Sequence, residues 1–317
     1  MAPYLPAPFL DWMFGLPLPM FAAIRRAYEL ARKIEDQAIQ DLAQSEDSNE
    51  RSFEHLYAKI LAQNSKRALS PDELAMQTNL VLIAGQDTTA NTLAFALTEL
   101  ARQPALQDAL RGEIRKARLE PATDYDSLPL LNAVIKEALR LLPAEPIGDK
   151  IAHVDLTLPL SRPVTLSDGR VVDQLFVPKG QLVGLAFAGY QRYVTSHCCA
   201  SALISAHPSG GTRWGPEPEA FNPYRWIEGK VGVSEPMATS PYAHLLAFSN
   251  GPHVCLGWRF AILEMQVILA ELVPKFVFKI PDDPALAMRF RFANTLMPCN
   301  DKGEKRAWLA VERVQDL

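Results

Sequence analysis

Among the residues able to do chemistry, Cys255 has the most telling surroundings. It stands in Phe248-Ser-Asn-Gly251-Pro-His253-Val-Cys255-Leu-Gly257, a turn-prone loop that runs straight into the apolar stretch from Trp258 to Leu272. That stretch has the spacing of a buried helix. A cysteine just ahead of a helix start meets the positive end of the helix dipole, which favours thiolate over thiol. Gly251 and Gly257 remove side chains where a flat cofactor would have to approach the backbone. A lone thiolate so placed suits a single axial bond to haem iron, because zinc or an iron–sulfur cluster draws several ligands. The alternative is a structural cysteine in a buried loop.

A second group lies at Ala84-Gly85-Gln86-Asp87-Thr88-Thr89, inside an otherwise apolar helical pattern. A glycine followed by an acid and two β-branched alcohols is weak helix material. Threonine can also bond back to the carbonyl four residues earlier and bend the helix. One reading is a kink whose polar groups are satisfied locally; the other is an acid–alcohol pair that handles protons above a reactive metal centre. A third group, Glu137-Ala-Leu-Arg140, puts two opposite charges on one helix face. On a surface such a pair contributes little, whereas Val134, Ile135, Ala138, Leu139 and Leu141 around it favour burial. His197, Cys198, Cys199 and His207 could form a small metal-binding module, but no second spaced Cys/His pair completes it.

The elements that hold these groups follow from periodicity and punctuation. Phe21 to about Gln44 is an amphipathic helix with Ile24, Ala27, Tyr28, Ala31 and Ile34 on one stripe and its charged faces in solvent. A polar loop spans Ser45 to Arg51, and a shorter helix covers Phe53 to Ala62. Ser70-Pro71-Asp72-Glu73 is a helix start, with serine as cap, proline at the first position and acids in the first turn. That helix runs to about Arg102 and is apolar nearly all round between Leu80 and Ala84, which marks it as central and buried. Helices follow over Gln103 to Ala117, with Glu113 and Lys116 at ion-pair spacing, and over Leu128 to Leu142, stopped by Pro143. From Ile151 to about Phe187 the pattern turns to β-strand, broken at Ser167-Asp-Gly169 and Pro178-Lys-Gly180. Phe276 to Ile280 and Trp308 to Arg313 read as closing strands.

Composition narrows the class. The chain has 317 residues, 48% of them hydrophobic, and a net charge of −4. That supports a sizeable core and gives no case for a nucleic-acid partner. Four cysteines, two of them vicinal, form no disulfide framework and point to a reducing compartment. No apolar run is long enough to span a bilayer. The start, Tyr4 to Met20, is broken by prolines and Asp11 and has no basic segment, so it does not read as a signal peptide. The listing of residues alone therefore describes a soluble chain.

Taken in order, four segments resemble the cytochrome P-450 family. Phe248, Gly251, His253, Cys255 and Gly257, with Ala261 as the small residue in the next helix, fill its haem-loop pattern Phe-x-x-Gly-x-Arg/His-x-Cys-x-Gly. Ala84 to Thr89 fills the central-helix pattern Ala/Gly-Gly-x-Asp/Glu-Thr-Thr/Ser. Glu137 and Arg140, followed by Pro143, fill Glu-x-x-Arg, and Phe221-Asn-Pro223-Tyr-Arg225-Trp226 resembles Phe-x-Pro-x-Arg-Phe/Trp. The resemblance runs from about Ser70 to the C terminus, and more loosely over the first helices. It implies a mainly α fold with small β-sheets (α+β), with residues 1–317 forming one partial domain of eukaryotic microsomal type. The membrane anchor and early helices of a longer family chain would be absent. Residues 193–211 would be an insertion, either a retained intron or a surface loop.

By that resemblance Cys255 would be the proximal ligand of haem b (iron protoporphyrin IX), and Phe248 would pack beside its sulfur. His253 would meet a propionate, a role more often filled by arginine. Ala84 and Gly85 would leave room over the haem face, while Asp87 and Thr88 would assist proton delivery during oxygen activation. Glu137, Arg140 and Arg225 would form a buried charge cluster that locks the haem loop, and the loop near Ala293 to Met297 would border the substrate cavity. The implied activity is monooxygenation of a small apolar substrate, using dioxygen and electrons from an NADPH-dependent flavoprotein reductase. The full-length type would sit at the endoplasmic-reticulum membrane. The competing expectation is a truncated, non-catalytic remnant that binds haem weakly or not at all.

Overall fold

The computed structural model describes residues 71–119, 124–192 and 214–314 except 216, 230, 232–239 and 294, together with Arg26, Glu29, Leu30 and Lys33. The chain divides into two compact units, residues 1–86 and 87–317. In the first, Arg26, Glu29, Leu30 and Lys33 are helical and exposed. The rest of the helices expected over 21–44 and 53–62, the loop at 45–51, the capping Ser70 and the stretch 193–211 lie outside the described residues. So do His197, Cys198, Cys199 and His207.

Helix α1 (Pro71–Arg102) opens on its proline and runs unbroken through Ala84 to Thr89. The glycine and the paired threonines are thus absorbed in a continuous helix. Back-bonding comes one turn later: the Thr92 hydroxyl donates to the Thr88 carbonyl at 2.9 Å, and the Thr98 hydroxyl to that of Ala94 at 2.8 Å. The expected burial of Leu80 to Ala84 is not what the structure has. Leu80, Ile83 and Ala84 are exposed, and burial sets in at Thr89 and continues through Leu93, Phe95, Ala96 and Leu100. The reason is tertiary, since the core joined by residues 93–100 is built from the helices that follow.

Those helices carry clean apolar stripes. Helix α2 (Pro104–Ala117) buries Leu106, Gln107, Leu110, Arg111 and Ile114, spaced for one face. Helix α3 (Pro129–Leu141) is buried almost all round and ends two residues before Pro143. The anticipated Glu113–Lys116 pairing gives way to a stronger use of the acid. Glu113 Oε1 accepts from the Leu130 amide at 2.9 Å and Oε2 from the Leu131 amide at 2.8 Å, so Glu113 caps α3 from the neighbouring helix. Leu128, the capping residue of α3, makes no side-chain cap bond of its own.

The β region resolves into β1 (Gly148–Ile151), β2 (Leu156–Thr165), β3 (Val171–Val177) and β4 (Leu182–Leu185). β1 pairs with β4 and β2 with β3, both antiparallel, and the β2–β3 register slips between Pro159 and Val164. Gly169 and Gly180, at φ of +84° and +85°, make the two turns that the sequence marks. A short helix α4 (Phe187–Arg192) then replaces the last expected strand residue, and α5 (Tyr224–Ile227) carries Arg225. The Cys255 loop leads into α6 (Trp258–Leu272). Beyond it, β5 (Phe276–Lys279) pairs with β8 (Ala310–Arg313). β6 (Arg289–Phe292) and β7 (Leu296–Cys299) form a hairpin whose connection falls in the loop expected near Ala293 to Met297. The architecture is mainly α with small antiparallel sheets.

Candidate active site

The cysteine loop is held by its own backbone. A single 3-10 turn ends at Phe248, Ser249 takes a left-handed φ of 59°, and a second such turn spans Gly251–His253, with Gly251 at φ 66°. A non-glycine residue in that region is strained, and surrounding structure must hold it there. The Cys255 amide donates to the Phe248 carbonyl at 2.9 Å, closing the loop. Phe248 is buried and meets Tyr242 edge-on with ring centroids 6.1 Å apart, and Tyr242 in turn lies 6.2 Å from Trp258 at the start of α6. Gly251, His253, Cys255 and Gly257 are exposed and Ala261 is half-buried.

Several large apolar residues beside Cys255 are exposed, together with His253 and Arg259. Leu256 is 94% exposed, and Val254, Phe260 and Leu263 also present large hydrophobic surface. A Cβ added at Gly251 or Gly257 would meet nothing within 4 Å. An accessible thiol with exposed apolar side chains nearby and open space beside both glycines would suit a flat macrocycle held through the Cys255 sulfur. Among the described residues no three His, Cys, Asp or Glu gather as a metal site.

A buried charge cluster joins α3 to α5. Glu137 and Arg140 are 0% exposed and Arg225 is buried with them, so the surface reading of Glu137–Arg140 does not hold. Arg140 Nη2 and Nε donate to the two Glu137 oxygens at 2.8 and 2.9 Å, and Arg225 Nε donates to Oε1 at 2.9 Å. Trp226 Nε1 donates to Oε2 at 2.8 Å and the Asn222 amide to Oε1 at 2.9 Å. The remaining guanidinium protons go to carbonyls: Arg140 to Gln191, Pro218 and Ala220, and Arg225 to Trp214, Glu217 and Ala220. Every charge in this desolvated site is paired, the condition under which burial is tolerated.

On α1, Ala84 and Gly85 fall in the first unit, with open space at the Gly85 Cβ position. Asp87 and Thr88 fall in the second. Asp87 is exposed, and its Oδ1 accepts from Lys305 Nζ at 2.6 Å. Thr88 is half-buried, and its carbonyl takes the Thr92 hydroxyl. Thr89 turns inward. Its hydroxyl and Glu264 Oε2 are both closed to solvent and lack a well-formed hydrogen bond. Burial pushes the Glu264 carboxyl up from its ordinary range, an effect that the nearby Thr89 hydroxyl partly offsets. Neither Lys305 nor Glu264 stands out in the sequence reading. An acid inside the apolar α6 pattern is the one signal that could have marked Glu264.

The lysine before Glu137 also has unusual surroundings. Lys136 Nζ lies 6.0 Å from the Trp226 ring and 5.9 Å from the Tyr242 ring, and its amine is pushed down by burial. It lines a cavity of about 420 Å³ with Asp126, Asn132, Trp226 and Tyr242. Burial, with the Asp126 charge beside it, raises the Tyr242 phenol.

A mainly α scaffold with small antiparallel sheets, an exposed loop cysteine and a buried Glu–Arg–Arg cluster matches what the resemblance leads one to expect. The chain belongs to the cytochrome P450 family, whose model matches residues 2–192 and 210–299. It is similar to cytochrome P450 monooxygenase claW of Ampulloclitocybe clavipes, with 29% identity over 282 residues, 86% of this chain and 49% of that protein. Cytochrome P450 monooxygenase 81 of Postia placenta is 34% identical over 233 residues, 72% of this chain and 39% of that protein. Ganoderic acid synthetase CYP5150L8 of Ganoderma lucidum is 28% identical over 290 residues, 85% of this chain and 50% of that protein. The chain thus spans about half the length of the curated relatives it matches. Membership implies haem and monooxygenase activity at the level of the family. Among the described residues, no helix is long and apolar enough to cross a membrane.

Proposed function

We propose that this chain serves a haem-thiolate monooxygenase that oxidises a small apolar organic substrate, with dioxygen as oxidant and electrons from an NADPH-dependent flavoprotein reductase. The observation that carries the reading is the accessible Cys255 thiol, fixed by the bond from its amide to Phe248 and surrounded by exposed apolar side chains. Haem b, when bound, supplies the oxygen and electron chemistry. Cys255 would hold it by one sulfur bond, with Phe248 shielding that sulfur and His253 meeting a propionate. Gly251, Gly257 and Ala261 keep the loop and the first turn of α6 free of bulk on that side. Glu137, Arg140 and Arg225 hold the backbone of Gln191, Trp214, Glu217, Pro218, Ala220 and Asn222 and take no part in the reaction. Ala84 and Gly85 leave a bare stretch of helix, and Asp87 with Thr88 moves protons toward the reacting centre from the carboxylate and hydroxyl oxygens.

The reading of 1–317 as one partial family domain with an insertion at 193–211 is supported by the family match, which leaves out residues 193–209. We also assign the full-length type to the endoplasmic-reticulum membrane. The test is a reduced, carbon-monoxide difference spectrum on the expressed chain supplied with haem. A thiolate Soret band that Cys255→Ser removes is expected. A band of the neutral-ligand type, or the same band in Cys255→Ser, would overturn the assignment. A second reading, a polypeptide that binds haem weakly or not at all, is favoured by the apolar surface left open at Leu80 and Ile83 of α1, away from the cysteine loop in sequence. It predicts no band in any variant.

A further inference from the structure

The C-terminal hairpin is seated on α1 by a stripe of residues at helical spacing. Asn91 Nδ2 donates to the Thr295 hydroxyl at 3.2 Å and to the Leu296 carbonyl at 3.1 Å. Phe95 meets Phe290 edge-on at 5.4 Å, and the Thr98 hydroxyl lies 3.4 Å from Met288 Sδ. Asp87 is one turn earlier on this same face, and its partner Lys305 belongs to the same C-terminal segment. Asn91, Phe95 and Thr98 are buried, whereas the Asp87 and Lys305 side chains are 57% and 42% exposed. The stripe is therefore graded. Three buried contacts fix the hairpin, and the ion pair at its open end is the one that water can replace.

Lys305 does not swing on a free tail. It bridges to Cys299 at the end of β7, and the turn between them is closed by the Gly303 amide on the Asn300 carbonyl and the Asn300 amide on the Glu304 carbonyl, both at 3.0 Å. The Arg306 amide donates to the Pro298 carbonyl at 3.1 Å. These bonds tie the Lys305 backbone to the end of β7. The carboxylate that Lys305 holds is the one to which the proposed function gives a proton.

We propose that Lys305 is a positioning residue for Asp87: the seat of the β6–β7 hairpin on α1 decides whether this carboxylate faces the C-terminal segment or is released to act with Thr88. The inference rests on the proton role proposed above for Asp87. Lys305 touches no reacting atom. Its effect runs through Asp87, and through it a displacement of the hairpin reaches the proton path.

The test has two arms, using Lys305→Met, Asp87→Asn, the double variant and Lys305→Arg. Amide hydrogen exchange over 296–305, measured with and without added haem, should quicken about two- to five-fold in each single variant, the range of an exposed ion pair. The double variant should be no faster than the singles, and Lys305→Arg should restore slow exchange. Unmoved or additive exchange overturns the pairing. In the second arm, reductase-driven NADPH consumption is followed in H2O and D2O, with hydrogen peroxide counted per NADPH. Lys305→Met should change the solvent isotope effect and the peroxide yield while the thiolate spectrum stays intact. An unchanged isotope effect with that spectrum present overturns the positioning role alone. No thiolate spectrum in the unaltered chain overturns the proposed function and this role with it.

Discussion

Replacing Glu137 with alanine is the sharpest test of how the site is braced. The two carboxylate oxygens accept five hydrogen bonds, from Arg140 Nε and Nη2, Arg225 Nε, Trp226 Nε1 and the Asn222 amide. With both partners of the ion pair at 0% exposure, water does not replace the lost oxygens without opening the site. Breaking a buried pair on one side costs about 3–5 kcal/mol, because the opposite charge is left uncompensated. A solvent-exposed pair contributes about 0–1 kcal/mol. Against a domain stability of roughly 5–15 kcal/mol the buried figure is a large fraction. With a urea slope near 3 kcal/mol/M it would lower the midpoint by about 1–2 M.

The assay is urea unfolding followed by tryptophan fluorescence, since Trp214 and Trp226 lie 5.7 Å apart against the cluster. Glu137→Gln separates charge from shape. Its amide nitrogen would face guanidinium donors, so most of the loss should remain. Replacing the whole cluster by Met, Leu and Leu at 137, 140 and 225 is often neutral in other proteins. Here it should be worse than Glu137→Ala, because the arginines also satisfy the carbonyls of Gln191, Trp214, Glu217, Pro218 and Ala220. A Glu137→Ala loss under about 1 kcal/mol, the exposed-pair figure, would refute the reasoning.

Three further outcomes are expected. Cys255→Ser should abolish the thiolate Soret band while leaving the unfolding midpoint of the haem-free chain close to that of the parent, since the cysteine side chain is exposed. Glu113→Ala should destabilise by about 1 kcal/mol, the usual value of a lost helix cap, read by chemical unfolding; Glu113→Gln should recover part of that, and no loss in the alanine variant would rule out the capping role. Glu264 has a folded carboxyl raised by burial. Its stabilising contribution is complete below the unfolded carboxylate pKa and is lost as pH rises through the folded value. Glu264→Gln should therefore gain in thermal midpoint over the parent as pH increases, and a difference that stays constant with pH would sink the assignment.

What was legible in the sequence was what a few neighbouring residues enforce. The cysteine loop needs Gly251 in a left-handed turn and a closing bond seven residues back to Phe248, so its pattern is written locally. The Glu137–Arg140 pair lies within one helical turn, and the apolar residues around it already argued for burial. The boundaries of α1 to α3 and the turns at Gly169 and Gly180 follow from proline and glycine in the same way. The pairing of Asp87 with Lys305 links positions 218 residues apart, and no local spacing carries that. The exposure of Leu80 and Ile83 was hidden for the opposite reason, since an apolar pattern records a need for cover and does not say what supplies it.

Glu113 shows how a correct local inference loses to a tertiary one. Its spacing to Lys116 permits an ion pair, and on an isolated helix that pair would form at a gain of about 0.2–0.5 kcal/mol. In the fold, the start of α3 brings the amides of Leu130 and Leu131 to the same carboxylate, at 2.9 and 2.8 Å. The first amides of any helix have no partner within it, and a buried donor left unpaired costs about 1–3 kcal/mol. The carboxylate goes where the larger cost is avoided. It also sits at the positive end of α3, where a negative charge is favoured. The same ordering accounts for Arg140 and Arg225, whose spare protons fix the carbonyls of a loop region that pattern reading cannot assign to them. Ion pairs read from sequence spacing should therefore be ranked below any unpaired backbone donor or acceptor that the fold brings within reach.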